Sequence, residues 1–234
     1  MMNKLLTVKF YVFALTYFLF IGVASAQCPS CTSIDLGTWD FENAEVYKLG
    51  TTGGITPNPT PPSSCAQISP LKGLGVDNST NRESSGEPVY EGVKSICTGS
   101  WNRPSCDADR YMYFTVTFPA GYTGKLSELS FYEEAPTKTT AGGSLNNNNY
   151  PRQFCVNVFR GSTNIYSSGN RTTSVAIHPS ENWALRTFAF SGTNFCSDGS
   201  AAVTFTIRIQ AFDPASNGGT KVIWETDLIK IKGC

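Results

Sequence analysis

Three acidic residues near the two ends of the chain have the chemistry of a cation site. Asp40 and Glu42 are two residues apart in an extended segment, so their side chains point to the same side of it. Asp227 lies in the last apolar segment, residues 220–234. Carboxylates are preferred ligands of Ca²⁺. If the first and last strands are neighbours, we expect these acids to hold one structural Ca²⁺. The alternative is that they pair with basic side chains or face water.

A second set of residues has the chemistry of a carbohydrate-binding surface. Aromatic side chains stack on pyranose rings, and polar side chains bind the sugar hydroxyls. Trp101 lies between Cys97 and Cys106, and a disulfide between these cysteines would preorganise the loop around it. The opposing interpretation is that Trp101 only covers that disulfide. The candidate ligand-binding residues are Trp101, Asn102, Arg103, Asn148 and Tyr150.

The sequence offers little for a catalytic centre. His178 is the single histidine, and no nucleophile elbow accompanies it. Glu133 and Glu134 are adjacent in a predicted strand, so their side chains point to opposite faces. They cannot form a glycosidase pair by themselves, and Glu133 would need a distant acid at ~5–10 Å. We therefore predict that the protein is not an enzyme, and a glycan-active hydrolase is the least favoured alternative.

Alternating apolar residues predict the strands that position these side chains. In residues 111–118, Met112, Phe114, Val116 and Phe118 alternate with tyrosine and threonine, and residues 201–212 alternate in the same way. No segment has a convincing apolar period of 3.6 residues. Nine or ten short strands between Gly, Pro, Asn and Ser turns predict an all-β fold, a jelly-roll-like antiparallel β-sandwich. We expect one domain over residues 27–234.

The last segment of the chain predicts an interior strand. Trp224, Thr226 and Leu228 fall on one face of an extended chain, whereas Ile229 and Ile231 fall on the other. Because both faces carry large apolar groups, this strand is expected to be covered on two sides. A carboxylate such as that of Asp227 is costly there unless a metal or hydrogen-bond donors satisfy it.

The eight cysteines all lie beyond residue 26, and an even number in an exported chain predicts disulfides. Cys97 and Cys106 flank a short polar loop and form the first predicted pair. Cys155 and Cys196 lie in or beside predicted strands and form the second. No pairing is assigned to the other four cysteines, which are Cys28, Cys31, Cys65 and Cys234.

Residues 1–26 have the features of a secretory signal peptide. Two lysines precede an apolar run, and the small residues at 24–26 match a cleavage site. The remaining chain has 16 basic and 18 acidic residues, a net charge of −2, which argues against a nucleic-acid partner. No later stretch is long and apolar enough for a transmembrane helix. We therefore predict a secreted, extracellular protein, with the cell surface as a possible destination.

Two motifs near the ends of the chain resemble a known fold family. Residues 39–43 (Trp-Asp-Phe-Glu-Asn) and residues 224–231 resemble segments of galactose-binding-like jelly rolls, which include many carbohydrate-binding modules. In that family an early "FE" and a late acid often hold a structural calcium, which implies Glu42 and Asp227 here. The family's late motif often has two acids in a row, and this chain has Leu228 at the second position.

Several segments more closely resemble β-sandwich domains of secreted and cell-surface proteins of the Bacteroidetes type, including gliding-linked adhesins. They occur in order over most of the chain, at residues 38–43, 126–134, 149–152, 183–190 and 224–234. The resemblance implies a binding role. We expect a module for carbohydrate or a cell-surface polymer. The alternative is a structural subunit of an extracellular assembly or filament, self-associating through the cysteines near the two ends.

Overall fold

The computed structural model describes residues 28, 30–41, 49, 54–58, 66–78, 95–106, 109–136, 150–176, 182–215 and 222–234. The predicted signal peptide, residues 1–26, lies outside them. Strands dominate the described segments, and one short 3-10 helix, Thr193–Phe195, interrupts them. A search of these same segments for a helix long and apolar enough to cross a membrane finds none.

Fifteen strands form in the described segments, and several of them are only two or three residues long. In chain order they are β1 Ile34–Trp39, β2 Gln67–Ile68, β3 Lys72–Leu74, β4 Asp77–Asn78, β5 Ile96–Gly99, β6 Tyr111–Phe118, β7 Thr123–Pro136, β8 Pro151–Arg160, β9 Thr163–Ser167, β10 Arg171–Thr172, β11 Val175–Ala176, β12 Ala184–Ala189, β13 Cys196–Asp198, β14 Val203–Pro214 and β15 Trp224–Gly233.

The strands form two sheets that pack face to face. The first sheet has the order β11-β7-β15-β5-β4, with β1 on β15 and with β12 and β13 on β7. The second has the order β10-β8-β14-β6-β2, with β3 on β6 and β9 on β8. Apart from the short parallel pair of β11 and β7, the neighbouring strands are antiparallel. This architecture confirms the predicted antiparallel β-sandwich.

Strand β6 shows why the alternation was informative. Met112, Phe114 and Val116 are fully buried between the sheets, whereas Tyr113 and Thr115 are half-buried on the outer face. Successive side chains of a strand point to opposite faces, so a strand with one face in the core must alternate in this way. β8 and β9 pair as a hairpin across residues 161–162.

Aromatic side chains join the two sheets in the core. The ring of Trp224 on β15 stacks on that of Phe154 on β8, with 5.6 Å between the ring centres. Phe131 on β7 lies edge-on to both rings and stacks on Phe188 of β12 at 5.8 Å. Each buried aromatic side chain removes a large apolar area from water, so this cluster is a main source of stability.

The last strand is interior, as predicted. β15 pairs with β7 along one edge and with β1 and β5 along the other. The pairing with β1 is antiparallel, with Ile34 opposite Gly233 and Trp39 opposite Ile229. The first and last strands of the described chain are therefore neighbours, which confirms the premise of the predicted cation site.

A bulge in β15 overturns part of the predicted facing of its residues. The pairing with β7 shifts register between Asp227 and Lys230, and Leu228 has a positive φ of 44°. The extra residue reverses the alternation, as a bulge does. Ile229 and Ile231 therefore join Trp224 in the core instead of lying on the opposite face.

Three disulfides tie the described chain together. The bridges are Cys28–Cys196, Cys31–Cys234 and Cys106–Cys155, with Cα–Cα distances of 5.4, 5.9 and 6.2 Å. Two of them fasten the N-terminal segment, one to the start of β13 and one to the residue after β15. The predicted disulfide framework is present, and its predicted pairings are wrong.

The pairing of Cys97 with Cys106 is wrong because Cys106 reaches across to Cys155 on β8. The pairing of Cys155 with Cys196 is wrong because Cys196, at the other sheet, is bonded to Cys28. The first pair was predicted from nearness in sequence, and the second was predicted from strand membership. Neither property determines which cysteines meet in space. Cys65 and the side chain of Cys97 lie outside the described part of the chain.

Candidate functional site

Trp101 is part of the core and not of a ligand platform. Its side chain is 0% exposed, and its ring lies edge-on to that of Trp224 at 5.9 Å. Its indole Nε1 donates a hydrogen bond of 3.0 Å to Oγ1 of Thr98. A ring buried this completely offers no face to a sugar. The structure therefore removes Trp101 from the candidate ligand-binding residues.

The other predicted ligand residues are only partly brought together. Asn102 is exposed, and Arg103 donates from Nε to Oδ1 of Asp109 at 3.0 Å, in an exposed ion pair. Tyr150 is half-buried and packs against the core. The backbone carbonyls of Arg103 and Tyr150 both accept hydrogen bonds from the end of β14 and the residue after it. Asn148 lies outside the described residues.

Two of the three predicted calcium ligands lie on neighbouring strands. Asp40 directly follows β1, and its carboxylate accepts a hydrogen bond from the side chain of Asn58. Asp227 on β15 is 1% exposed, and its Oδ1 accepts from the backbone N–H of Leu228 at 2.6 Å. Glu42 lies outside the described residues. Within the described segments, no three His, Cys, Asp or Glu side chains are grouped closely enough to hold a metal.

Glu133 is a fully buried carboxylate whose role the sequence did not reveal. Its Oε1 accepts hydrogen bonds from Nε and Nη2 of Arg186, at 2.9 and 2.6 Å, and from the backbone N–H of Ser174 at 2.9 Å. Its Oε2 accepts from Nε1 of Trp224 at 2.8 Å. Burial is the largest influence on the pKa of this carboxyl and raises it, while these donors act in the opposite direction. The four hydrogen bonds tie Glu133 of β7 to β12, to β15 and to Ser174.

Two further acids lie opposite each other on the first sheet. Glu134 of β7 and Glu225 of β15 are cross-strand partners, and both are buried. Oε2 of Glu134 accepts the backbone N–H of Asn182 at 3.0 Å. Glu133 and Glu134 do point to opposite faces, as adjacent strand residues must. The structure therefore gives no support to a glycosidase pair made of these two residues.

The outer face of the second sheet carries a row of polar side chains, which we call the polar row. Its members lie on five neighbouring strands, and each pair of neighbours in the row is directly opposed in the strand register. Directly opposed residues place their side chains on the same face. In order across β3, β6, β14, β8 and β9, the polar row consists of Lys72, Tyr113, Arg208, Asn157 and Ser167.

Aromatic rings hold the central arginine of the polar row. The guanidinium carbon of Arg208 lies 4.4 Å from the ring centre of Tyr111 and 4.2 Å from that of Phe159. Both distances are within the range of cation–π attraction. Nε of Arg208 has no hydrogen-bond partner among the described residues. The rings therefore fix the guanidinium on the sheet without using its N–H groups.

A second row of side chains, three of them polar, runs beside the polar row. Thr115, Thr206, Phe159 and Asn164 are successive cross-strand partners on β6, β14, β8 and β9. Asn157 of the polar row donates to Sγ of Cys106 at 3.1 Å, so the disulfide on this face helps to orient its amide. Neither of these two rows of described residues contains an acidic side chain.

The sequence contained part of the signal for this surface. The outward residues of β6 and β14 could be read from their alternation with buried residues. Their alignment into rows depends on the register between β3, β6, β14, β8 and β9, which the sequence does not specify.

The sequence matches no family model and none of the curated proteins. Among solved structures, it is similar to the K1 cleaved adhesin domain of Lys-gingipain from Porphyromonas gingivalis W83. The TM-score is 0.34 at 12% identity, over 86% of this chain and 98% of that one. The xylan-binding domain CBM22-2 from Paenibacillus barcinonensis gives a TM-score of 0.36 at 9% identity, over 84% of this chain and 98% of that one.

A bacteriophage CBA120 tailspike, represented by its enzymatically active domain, gives a TM-score of 0.29 at 11% identity. The match covers 71% of this chain and spans 19% of the tailspike chain. Other neighbours are also carbohydrate-binding modules. Carbohydrate-binding modules and adhesin domains, the two kinds that the resemblance named, are thus among the neighbours. The function is argued below from the residues of this chain.

Proposed function

We propose that this protein is a secreted binding module that recognises carbohydrate through the outer face of its second sheet. The observation that carries the proposal is the polar row, five aligned side chains that are polar, charged or aromatic and none of which is acidic. Protein–carbohydrate contacts need fixed hydrogen-bond groups and an aromatic surface. The polar row supplies both.

The members of the polar row have complementary roles in this proposal. Tyr113 is half-buried and lies between the two cations of the polar row in the strand register. Asn157 and Ser167 offer amide and hydroxyl groups that both donate and accept. Because these side chains stand on paired strands and not on loops, they need little ordering when a ligand binds.

A glycan array with the purified protein tests the proposal. We expect binding to a subset of glycans, and at least a tenfold loss of affinity in Tyr113→Ala and in Asn157→Ala. Tyr122→Ala is the matched control, because Tyr122 is an exposed tyrosine in the turn between β6 and β7, away from the polar row. The proposal is wrong if no glycan binds, or if the Tyr113 variant binds as well as the Tyr122 variant does.

We also propose that a structural Ca²⁺ fastens the ends of the sandwich at Asp40, Glu42 and Asp227. The support is the adjacency of β1 and β15, which brings Asp40 and Asp227 to neighbouring strands. Carboxylate oxygens are suitable ligands for this cation. Calcium would add to the Cys31–Cys234 disulfide in holding β1 on β15.

The cysteines that suggested a cross-linked assembly are not available for bonds between copies of the chain. That interpretation relied on Cys28, Cys31 and Cys234 as cysteines available for bonds between copies. Each of them is already paired within the chain. Disulfides are typical of proteins exposed to oxidising compartments, which supports the proposed export of this protein.

A further inference from the structure

We infer that the ligand of the polar row is an anionic polysaccharide, one that carries carboxylate or sulfate groups. The inference rests on the proposed carbohydrate-binding function and adds its chemical class. It comes from the two cations of the polar row, Lys72 and Arg208, and from what surrounds them.

Arg208 has no carboxylate partner among the described residues, a property it shares with Arg110, Arg160 and Arg171, and it differs from these in being held between two aromatic rings. Arg103, Arg152 and Arg186 each form an ion pair, with Asp109, Asp213 and Glu133 respectively. Arg208 forms neither an ion pair nor a hydrogen bond with a described residue, and two aromatic rings hold its guanidinium instead. Nε of Arg208 is buried, so the two Nη groups are the donors that carboxylate or sulfate oxygens would bind as a pair.

Lys72 makes the face electropositive at a second point. Lys72 lies opposite Tyr113 on the neighbouring strand on one side, and Arg208 lies opposite Tyr113 on the neighbouring strand on the other side. The Cα atoms of Lys72 and Arg208 are therefore two strand spacings apart, roughly 10 Å. Lys72 also forms no ion pair within the described segments. Two cations that form no ion pair with a described residue, in a row that contains no acid, favour an anion as their counterpart.

The surroundings favour a polysaccharide over an apolar or lipid partner. The large apolar side chains that are exposed in the described chain are Tyr122 and Leu185, and neither belongs to the polar row or the row beside it. The face thus lacks a fully exposed large apolar side chain of the kind that inserts into a membrane. It has the hydroxyl and amide groups of Thr115, Thr206 and Asn157, which suit sugar hydroxyls.

The experiment compares polymers that share a backbone and differ in charge. Affinity is measured for polygalacturonate and for the same polymer with its carboxylates methyl-esterified, and for dextran sulfate and unsulfated dextran. The first pair tests carboxylate and the second sulfate. We expect binding to at least one charged polymer, weakened about ten- to hundredfold when its charge is removed, as expected for a lost charge-assisted contact.

Variants assign the effect to the polar row. Arg208→Met and Lys72→Met should each reduce binding to the charged polymer, whereas Arg152→Met, which alters an arginine paired with Asp213, should not. Lys72 is the second test, because its side chain is partly exposed and its replacement leaves the rings around Arg208 in place. Thermal melting confirms that each variant is folded.

Three results would overturn the inference. If the charged and neutral forms bind equally, carbohydrate binding stands and the anionic class is wrong. If anionic lipid vesicles or polyphosphate bind as tightly as the charged polymers do, the face recognises charge and not polysaccharide. If neither charged nor neutral carbohydrate binds, the proposed function fails together with the inference.

Discussion

Replacing Arg186 with methionine should destabilise the fold strongly. Arg186 supplies two of the four hydrogen bonds to the buried carboxylate of Glu133, and it also supplies the opposing charge. The side chain of Glu133 is 0% exposed and that of Arg186 is 29% exposed. The substitution keeps most of the aliphatic length and leaves a carboxylate without a counter-charge in the core.

The expected cost follows from this geometry. Removing one partner of a buried ion pair costs about 3–5 kcal/mol, because the other charge stays buried without compensation. The donors from Trp224 and Ser174, at 2.8 and 2.9 Å, remain in the variant and offset part of that cost. We therefore expect about 3 kcal/mol at pH 7, the lower end of the range.

The cost should depend on pH with a definite sign. Burial raises the pKa of Glu133 in the folded state, so the carboxyl's contribution to stability is fully present below its ordinary pKa and is lost as the pH rises through the raised value. Removing the arginine raises the folded pKa further. The difference between wild type and variant should therefore be largest at neutral pH and shrink as the pH falls toward the ordinary glutamate value.

Urea denaturation followed by tryptophan fluorescence at pH 7 and at acidic pH measures both effects. Arg152→Met is the control, because Arg152 is 53% exposed in its pair with Asp213 and such pairs contribute about 0–1 kcal/mol. A loss below about 1 kcal/mol in Arg186→Met at pH 7, or the same loss at both pH values, would refute the account of Glu133.

Three other perturbations have defined outcomes. When free Ca²⁺ is about a hundredfold above its Kd, removing it with chelator should lower the Tm of wild type by roughly 5–10 °C. The Tm of Asp40→Asn should stay almost unchanged. Equal melting of wild type with and without chelator counts against the site. Replacing Cys31 and Cys234 with serine should cost about 4 kcal/mol in denaturant unfolding, because the other terminal bridge shortens the closed loop to about 40 residues. Trp101→Ala should cost about 3–5 kcal/mol while glycan affinity stays unchanged, and a selective loss of affinity would restore Trp101 as a ligand residue.

The strands and their layers could be predicted because the physics behind them is local. β6 and β14 have one face in the core, so their alternation appears directly in the sequence. The interior position of β15 was predicted from large apolar groups assigned to both of its faces, although the structure places Trp224, Ile229 and Ile231 together in the core. The bulge at Leu228 was not predicted, because one extra residue leaves the composition of the strand unchanged and only reverses its facing.

The candidate site was less accessible from sequence than the fold. Trp101 has the same local appearance whether it is a core residue or a loop platform, and only packing against Trp224 decides between them. The disulfide pairings depend on distances between cysteines far apart in the chain. The polar row depends on strand register across five strands, so its members were visible as outward residues and their alignment was not.

Backbone amide shifts in an NMR titration with a bound oligosaccharide test the central claim most directly. The account predicts that the shifts are centred on the polar row, at Tyr113, Arg208 and Asn157, and spread to Thr115 and Thr206 in the row beside it. Shifts centred instead on residues 101–103 or on Tyr150, with the polar row unchanged, would contradict it.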